Sequence, residues 1–230
     1  TGTHGKTTTA RLLAHLLASS GQFISACHSD GLQFGERHAV SKTGDRISGS
    51  QGVLLHPWTE IAICETSAES IILEGMGYDR CQTGIVLNVG TEHLGLGYLD
   101  TLEQMTKVKR CVVDVILPGG TAILNADDPL VAGMASACKG SVLFFTRDAS
   151  QAVVVEHRQR GGRAAFVQNG VIHLAEGENE RRLCALADVS LPHTGHFAFH
   201  IENILAAASA AWLHGIPDDE IVRGLASFHE

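Results

Sequence analysis

The residues Thr1-Gly2-Thr3-His4-Gly5-Lys6-Thr7-Thr8-Thr9 run straight into Ala10-Arg11-Leu12-Leu13-Ala14-His15-Leu16-Leu17, a glycine-bearing loop that opens an apolar-periodic helix. Such a loop leaves backbone N–H groups converging on one spot, where the helix dipole adds partial positive charge and Lys6 a full one. The spot suits phosphate. In a phosphate-binding loop the lysine reaches the outer phosphates and the following hydroxyl, here Thr7, ligates the Mg²⁺ that bridges them. Only the second half of the general pattern can be read, because its first glycine would fall one residue before Thr1. The plain alternative is a glycine-rich cap on a surface helix with a solvated lysine; the run of threonines argues against it, since it wastes helix propensity unless the hydroxyls are used.

The phosphate loop implies an α/β layout, and the rest of the chain is consistent with one. Ile61 to Cys64, Gly84 to Val89, Thr121 to Leu124 and Ser141 to Phe145 are continuous apolar runs, the pattern of parallel strands buried on both faces. Helical patterns separate them, notably Leu102 to Val115, so the expected fold class is α/β, a doubly wound and mostly parallel sheet with a phosphate loop. Phe23 to Ala26 reads as a further short strand, Gly31 to Gly49 as a hairpin and loop with a turn at Thr43-Gly44-Asp45, and Gln51 to Leu55 as a short helix. From about Ala152 the texture changes. Val153-Val154-Val155, Ala164 to Val167 and Val171 to Leu174 read as short strands, the last two joined by the hairpin signal Asn169-Gly170. A small antiparallel β appendage over about 152–190 is expected, followed by helices over Phe197 to His214 and Pro217 to Phe228.

Ligands in such sheets gather at the carboxyl ends of the strands. Glu65 ends one apolar run and can supply a second oxygen ligand to Mg²⁺ beside Thr7; otherwise it is an exposed loop glutamate. Glu92-His93 follows the next run and can hold a second metal, although a lone histidine is more often structural. Lys107, Lys109 and Arg110 share the next helix, where a solvated basic face is the default. His15, His56, His157 and His214 show no partner pattern.

Composition excludes several classes. The 230 residues are 44% hydrophobic and 18% charged with a net charge of −8, and the arginines at 158, 160 and 163 read as a solvated loop, so a nucleic-acid partner is not expected. No apolar run approaches the roughly 20 residues that cross a bilayer. No membrane partner is expected, and without a leader pattern the chain reads as cytoplasmic. Its six cysteines lack any C-x-x-C pair, which argues against zinc and a disulfide framework and for reduced core residues. Both ends read as cut from something longer.

Taken as a set, the motifs resemble the ATP-dependent Mur ligase superfamily, and within it the cyanophycin synthetase branch. Thr1 to Thr9 is similar to its phosphate loop, and Asn88-Val89 with Glu92-His93 to its metal-site loop, which usually carries Asp-His. Glu65-Thr66-Ser67-Ala68, Glu74 to Cys81, His93 to Gly97, Asp100 to Met105 and Leu124 to Pro129 resemble further stretches. The resemblance implies a single middle domain over 1–230 that lacks the superfamily's preceding strand and C-terminal domain, so the piece alone is expected to bind nucleotide weakly and not to turn over. It implies cofactors ATP and Mg²⁺, an amino-acid or peptide acceptor as partner, and an amide ligase that forms an acyl-phosphate; homo-oligomerisation is left open.

The implied nucleotide-binding residues are Gly2, Thr3, His4, Gly5, Lys6, Thr7 and Thr8 of the loop. Asn203 matches an adenine-contacting asparagine, and His200 stands where the family has another. Thr7, Glu65 and His93 are the implied metal ligands. Lys6, His93 and Lys109 are the implied catalytic residues, Lys109 aligning with a helix lysine that is sometimes carbamylated. Ala68-Glu69-Ser70 and Leu73 replace an Arg-Gly-Gly stretch and an arginine. These departures keep a non-catalytic nucleotide-binding module as the alternative.

Overall fold

The computed structural model describes residues 1–40, 44–92, 94–95, 99–190 and 197–229. Helix α1, Lys6–Leu17, leaves the loop and buries Leu12, Leu13, Leu16 and Leu17, the apolar stripe of the sequence. A 3₁₀ turn, Ala18–Ser20, leads to strand β1, Ile24–His28, and the hairpin β2, Gly31–Phe34, and β3, Arg37–Val40. Helix α2 spans Ile47–Leu54, four residues ahead of its expected start, and β4 spans Ile61–Cys64. The turn expected at Thr43-Gly44-Asp45 lies partly outside the described residues.

Next come α3, Ala68–Leu73, β5, Cys81–Val86, α4, Leu102–Asp114, and β6, Ile116–Asn125. A capping box closes the start of α4: Thr101 Oγ1 accepts from Gln104 N while the Gln104 side chain accepts from Thr101 N. Then follow α5, Pro129–Ala132, β7, Ser141–Thr146, α6, Ala152–Gln159, and the strands β8, Arg163–Gln168, β9, Val171–Glu176, and β10, Asn179–Ala185. Helices α7, Phe197–Leu213, and α8, Asp218–Ser227, end the described chain.

The strands form two sheets. One has the order β10-β9-β8-β7-β6-β5, parallel from β5 to β8 and antiparallel beyond; the other has the order β3-β2-β1-β4, with β4 parallel to β1. The fold class expected from the sequence holds: α/β, with a mostly parallel six-stranded sheet, joined by a smaller mixed one. Two local expectations are corrected. The apolar run at Ile61 is not hydrogen-bonded into the same sheet as the three later ones; a cavity of about 320 Å³ separates β4 from β5. Val153-Val154-Val155 is helical, because β7 and β8 are parallel and need a crossover between them, which α6 supplies against the β propensity of three valines. Arg158 accordingly sits on a helix, over the Phe166 ring, rather than in a loop.

Alternation explains why the parallel runs are continuously apolar. Ile123, Leu143 and Phe145 point into a core layer with α1, α7 and α8, whereas Ala122, Leu124 and Phe144 point into an opposite layer with α4, α5 and α6. Both faces of the C-terminal halves of β6 and β7 are therefore dry. The Asn169-Gly170 turn has positive φ at both residues, 50° and 74°, as a two-residue hairpin between β8 and β9 requires. All six cysteines are free; Cys27 and Cys184 are buried and the others partly so. Among the described residues, no helix is long and apolar enough to cross a membrane.

Phe145 is fully buried at the centre of the first layer. Phe145→Ala is expected to lower unfolding free energy by about 3–5 kcal/mol, read from chemical denaturation.

Candidate functional site

The loop meets α1 at Gly5, whose φ of 79° and ψ of 0° place it in the left-handed region. Asn203 of α7 packs so tightly against it that a Cβ there would collide with the asparagine oxygen. Glycine is required on both counts. No side chain caps α1, so its first amides stay available to an anion. Lys6 Nζ lies 3.2 Å from Thr3 O, which folds the ammonium back over the loop.

In the first turn of α1, Thr7 Oγ1 donates to Glu65 Oε2 at 2.8 Å and lies 2.8 Å from Ser29 Oγ. Ser29 N also donates to Glu65 Oε2, at 3.1 Å. Glu65 follows β4 and Ser29 follows β1, and these two strands are paired in parallel, so their carboxyl ends present both side chains together. Glu65 is buried rather than an exposed loop residue. Burial pushes its carboxyl above the usual range, and the Ser29 amide, the Thr7 hydroxyl and Lys6 pull it part of the way back. A hydroxyl and a carboxylate sharing one point are hard oxygen donors of the kind Mg²⁺ takes. Among the described residues no group of three or more His, Cys, Asp or Glu gathers as a metal cluster. His93, the other expected metal ligand, lies outside the described residues.

The base of the loop is tied to the end of β5. Asn88 Oδ1 accepts from Thr3 N and from His4 N, both at 2.8 Å, and Asn88 Nδ2 donates to His4 O at 3.3 Å. Thr3 Oγ1 accepts from Gly90 N at 2.7 Å and from Lys109 Nζ at 2.5 Å, and Lys109 also donates to Asn88 O. Lys109 is only 1% exposed, so the solvated basic face holds for Lys107 and Arg110, which pair with Glu103 and Asp114, and fails for Lys109. Burial, helped by Lys6, pulls the Lys109 ammonium down to about 7.

A further acid sits under Asn88. Glu202 on α7 is buried, bonds to Asn88, and lies 3.3 Å from the Arg147 guanidinium. The arginine favours the ionised form, but burial outweighs it and the Asp127 and Asp128 carboxylates oppose it, so Glu202 is pushed up to about 7.

The structure thus gathers Lys6, Thr7 and Glu65 on one side of the loop and Thr3, Asn88 and Lys109 beneath it. Gly2 packs on Leu87 of the β5 end, and His4 faces Glu92, with Nε2 to Oε1 at 3.4 Å. Thr8, His200 and Asn203 line a small hollow at the start of α7. The residues missed from sequence were Ser29 and Glu202. Ser29 gave no motif signal; Glu202 did, as a lone acid in an alanine-rich helix.

A family profile described as Mur ligase middle domain matches residues 1–211. The chain belongs to the Mur ligase middle domain family. The cyanophycin synthetases of Geminocystis herdmanii and Crocosphaera subtropica are 39% and 40% identical to it over 230 and 229 residues, covering 100% and 99% of this chain and 26% of each relative. It therefore spans about a quarter of the length of those relatives. Among solved structures, UDP-N-acetylmuramoyl-L-alanyl-D-glutamate--2,6-diaminopimelate ligase superposes with a TM-score of 0.71 at 19% identity, over 99% of this chain and 45% of that one. At that identity the likeness concerns the fold of the Mur ligase middle domain.

Glu202 gives this Mur ligase middle domain a pH signature. Its folded value lies above the ordinary glutamate value of 4.5, so the folded state holds the proton more tightly and the stabilisation is lost as pH rises from about 4.5 through about 7. Glu202→Gln is expected to flatten that decline, by up to about 3 kcal/mol, in denaturation curves taken from pH 4.5 to 8.

Proposed function

We propose that this chain is the nucleotide-binding part of an ATP-dependent ligase that joins a carboxylate to an amine. The observation that carries the reading is Thr7 and Glu65 sharing one hydrogen bond beside Lys6 at the open start of α1. Family membership and the cyanophycin synthetase relatives support it. Bound Mg·ATP would supply the phosphoryl group that activates the carboxylate as an acyl-phosphate, with ADP leaving, and the amine would then displace phosphate to form the amide.

The chain's own residues have distinct tasks in this reading. The amides at Gly5, Lys6 and Thr7 orient the anion, and Lys6 offsets the charge of its outer phosphates. Thr7 and Glu65 would hold Mg²⁺, whose charge would favour the ionised form of the buried Glu65. Asn88 and Thr3 fix the base of the loop so that its upper amides keep their direction. Lys109, its ammonium drawn down to about 7 by burial, is proposed to act at Nζ beneath the loop, and His93 is proposed as the second-metal ligand. Asn203 and His200 are proposed to flank the adenine.

A second reading, nucleotide binding without ligation, is favoured by the residues at the edge of the site: Leu73 is 58% exposed and Ala68 is buried, and neither offers charge to an anionic acceptor. ADP release that depends on an added amino acid or dipeptide, measured on the parent protein, distinguishes ligation from binding alone.

Two variants test the site itself by titration calorimetry. Lys6→Ala is expected to weaken Mg·ATP binding by at least about tenfold, since a charge-assisted bond to phosphate is worth about 1.5–3 kcal/mol. Glu65→Gln is expected to abolish most of the Mg²⁺ dependence of that affinity; unchanged Mg²⁺ dependence would remove Glu65 from the metal site.

A further inference from the structure

Residues 87–89, which follow β5 at the base of the phosphate loop, are held along their backbone from the end of β6. Asn125 Nδ2 donates to Leu87 O at 2.8 Å, and Val89 N donates to Asp128 Oδ2 at 2.7 Å. With the backbone pinned on both sides, the side-chain amide of Asn88 keeps one freedom: which of its two ends faces the loop. Thr3 N and His4 N both aim hydrogens at it, and two donors need an acceptor, so Oδ1 is the end that meets them. On its other side Asn88 meets the buried Glu202 of α7, whose carboxylate accepts from Nδ2. Arg147 Nε lies 3.3 Å from Glu202 Oε1. Asp127 anchors that arginine in turn, its Oδ2 accepting from Arg147 N at 3.0 Å and from Arg147 Nε at 2.9 Å. The charged groups that bear on Glu202 are thus Arg147, Asp127 and Asp128.

We propose that Glu202, paired with Arg147, is a positioning residue of the phosphate loop: its carboxylate takes the Nδ2 end of Asn88 and thereby commits Oδ1 to the Thr3 and His4 amides. The inference rests on the reading of that loop as the nucleotide site. Turning the Asn88 amide over would set Oδ1 against carboxylate oxygens and the Nδ2 hydrogens against two N–H groups, so both ends would be repelled. The contact from Nδ2 to His4 O, at 3.3 Å, is longer than either bond to Oδ1 and does not decide the matter. Once Glu202 takes up a proton, its hydroxyl can donate to Oδ1, and half of that opposition is gone. Burial, with the Asp127 and Asp128 carboxylates, brings this change up to about 7 against the pull of Arg147. The loop amides therefore hold their direction best above that value and least below it.

The amide signals of Asn88 Nδ2 and Thr3 N, followed by nuclear magnetic resonance on the full chain without nucleotide from about pH 5.5 to 8.5, test it. Both are expected to shift together with a midpoint near 7. Arg147→Gln removes the cation that favours the ionised acid and is expected to move that midpoint up by about half a pH unit or more; Arg147→Lys, which keeps the charge, is expected to restore it. Glu202→Gln still accepts from Nδ2 but cannot titrate, and is expected to abolish the shared step. Lys109, drawn to about 7 and bonded to Thr3 Oγ1, is the rival source. A step that survives in Glu202→Gln, or a midpoint that ignores Arg147→Gln, assigns the effect to Lys109 and overturns the proposal. Arg147 is exposed, so if Glu202→Gln does not fold, the two arginine variants decide. Titration calorimetry with Mg·ATP gives the functional readout: from pH 8 to pH 6 the affinity of the unchanged chain is expected to fall at least about threefold further than that of Glu202→Gln. An equal fall in both overturns the positioning role. If no form binds Mg·ATP, the nucleotide reading fails, and the amide shifts still decide whether Glu202 sets Asn88.

Discussion

A buried carboxylate is held beside a hydroxyl at the mouth of the phosphate loop, and that contact sets the terms for the site around it. Glu65 sits where burial favours its neutral form, yet an amide, a hydroxyl and a nearby ammonium all converge on it. Each donor lowers the cost of keeping it ionised without removing it, so the arrangement retains an unmet preference for positive charge. A cation that takes oxygen ligands satisfies that preference. The contact also spans the architecture, since Thr7 belongs to the helix leaving the loop and Glu65 to the end of a strand in the smaller sheet.

The base of the loop meets the opposite problem. Burial, with Lys6 nearby, lowers the preference of Lys109 for charge, and Lys109 has almost no access to water. Its amine is accommodated by two oxygen acceptors, on Thr3 and Asn88, rather than by a carboxylate in contact. Glu202 lies behind Asn88 with a raised proton affinity of its own. The loop thus rests on groups whose proton affinities burial has drawn to about 7, from above for Lys109 and from below for Glu202, while Lys6 stands on the phosphate side. This is consistent with an anion site that is open above and hydrogen-bonded below.

How much of this was legible in the sequence varied with the kind of information required. Lys6, Thr7 and Glu65 were legible because each is fixed locally, two by the loop-to-helix pattern and one by its place at the end of an apolar run. The layers were legible in outline, although continuous apolar runs conceal which residues face which layer. The break between β4 and β5 was not, because a strand edge that lacks a neighbour has the same side chains as one that is paired. Val153 to Val155 misled for a related reason: the crossover geometry between parallel strands overrode local propensity. Ser29 and Glu202 act through hydrogen bonds set by strand register and helix docking, which no spacing rule encodes. Glu202 still left a trace, because an acid among alanines needs a partner when it is buried.

The most direct measurement of the central claim is where a paramagnetic metal–nucleotide complex sits on the chain. With Mn²⁺·ATP added at low stoichiometry, amide signals of Gly5, Lys6, Thr7, Ser29 and Glu65 should broaden first, while those of β8, β9 and β10 stay sharp. Broadening centred elsewhere, with Thr7 and Glu65 unaffected, would contradict the assignment of this loop as the metal–nucleotide site.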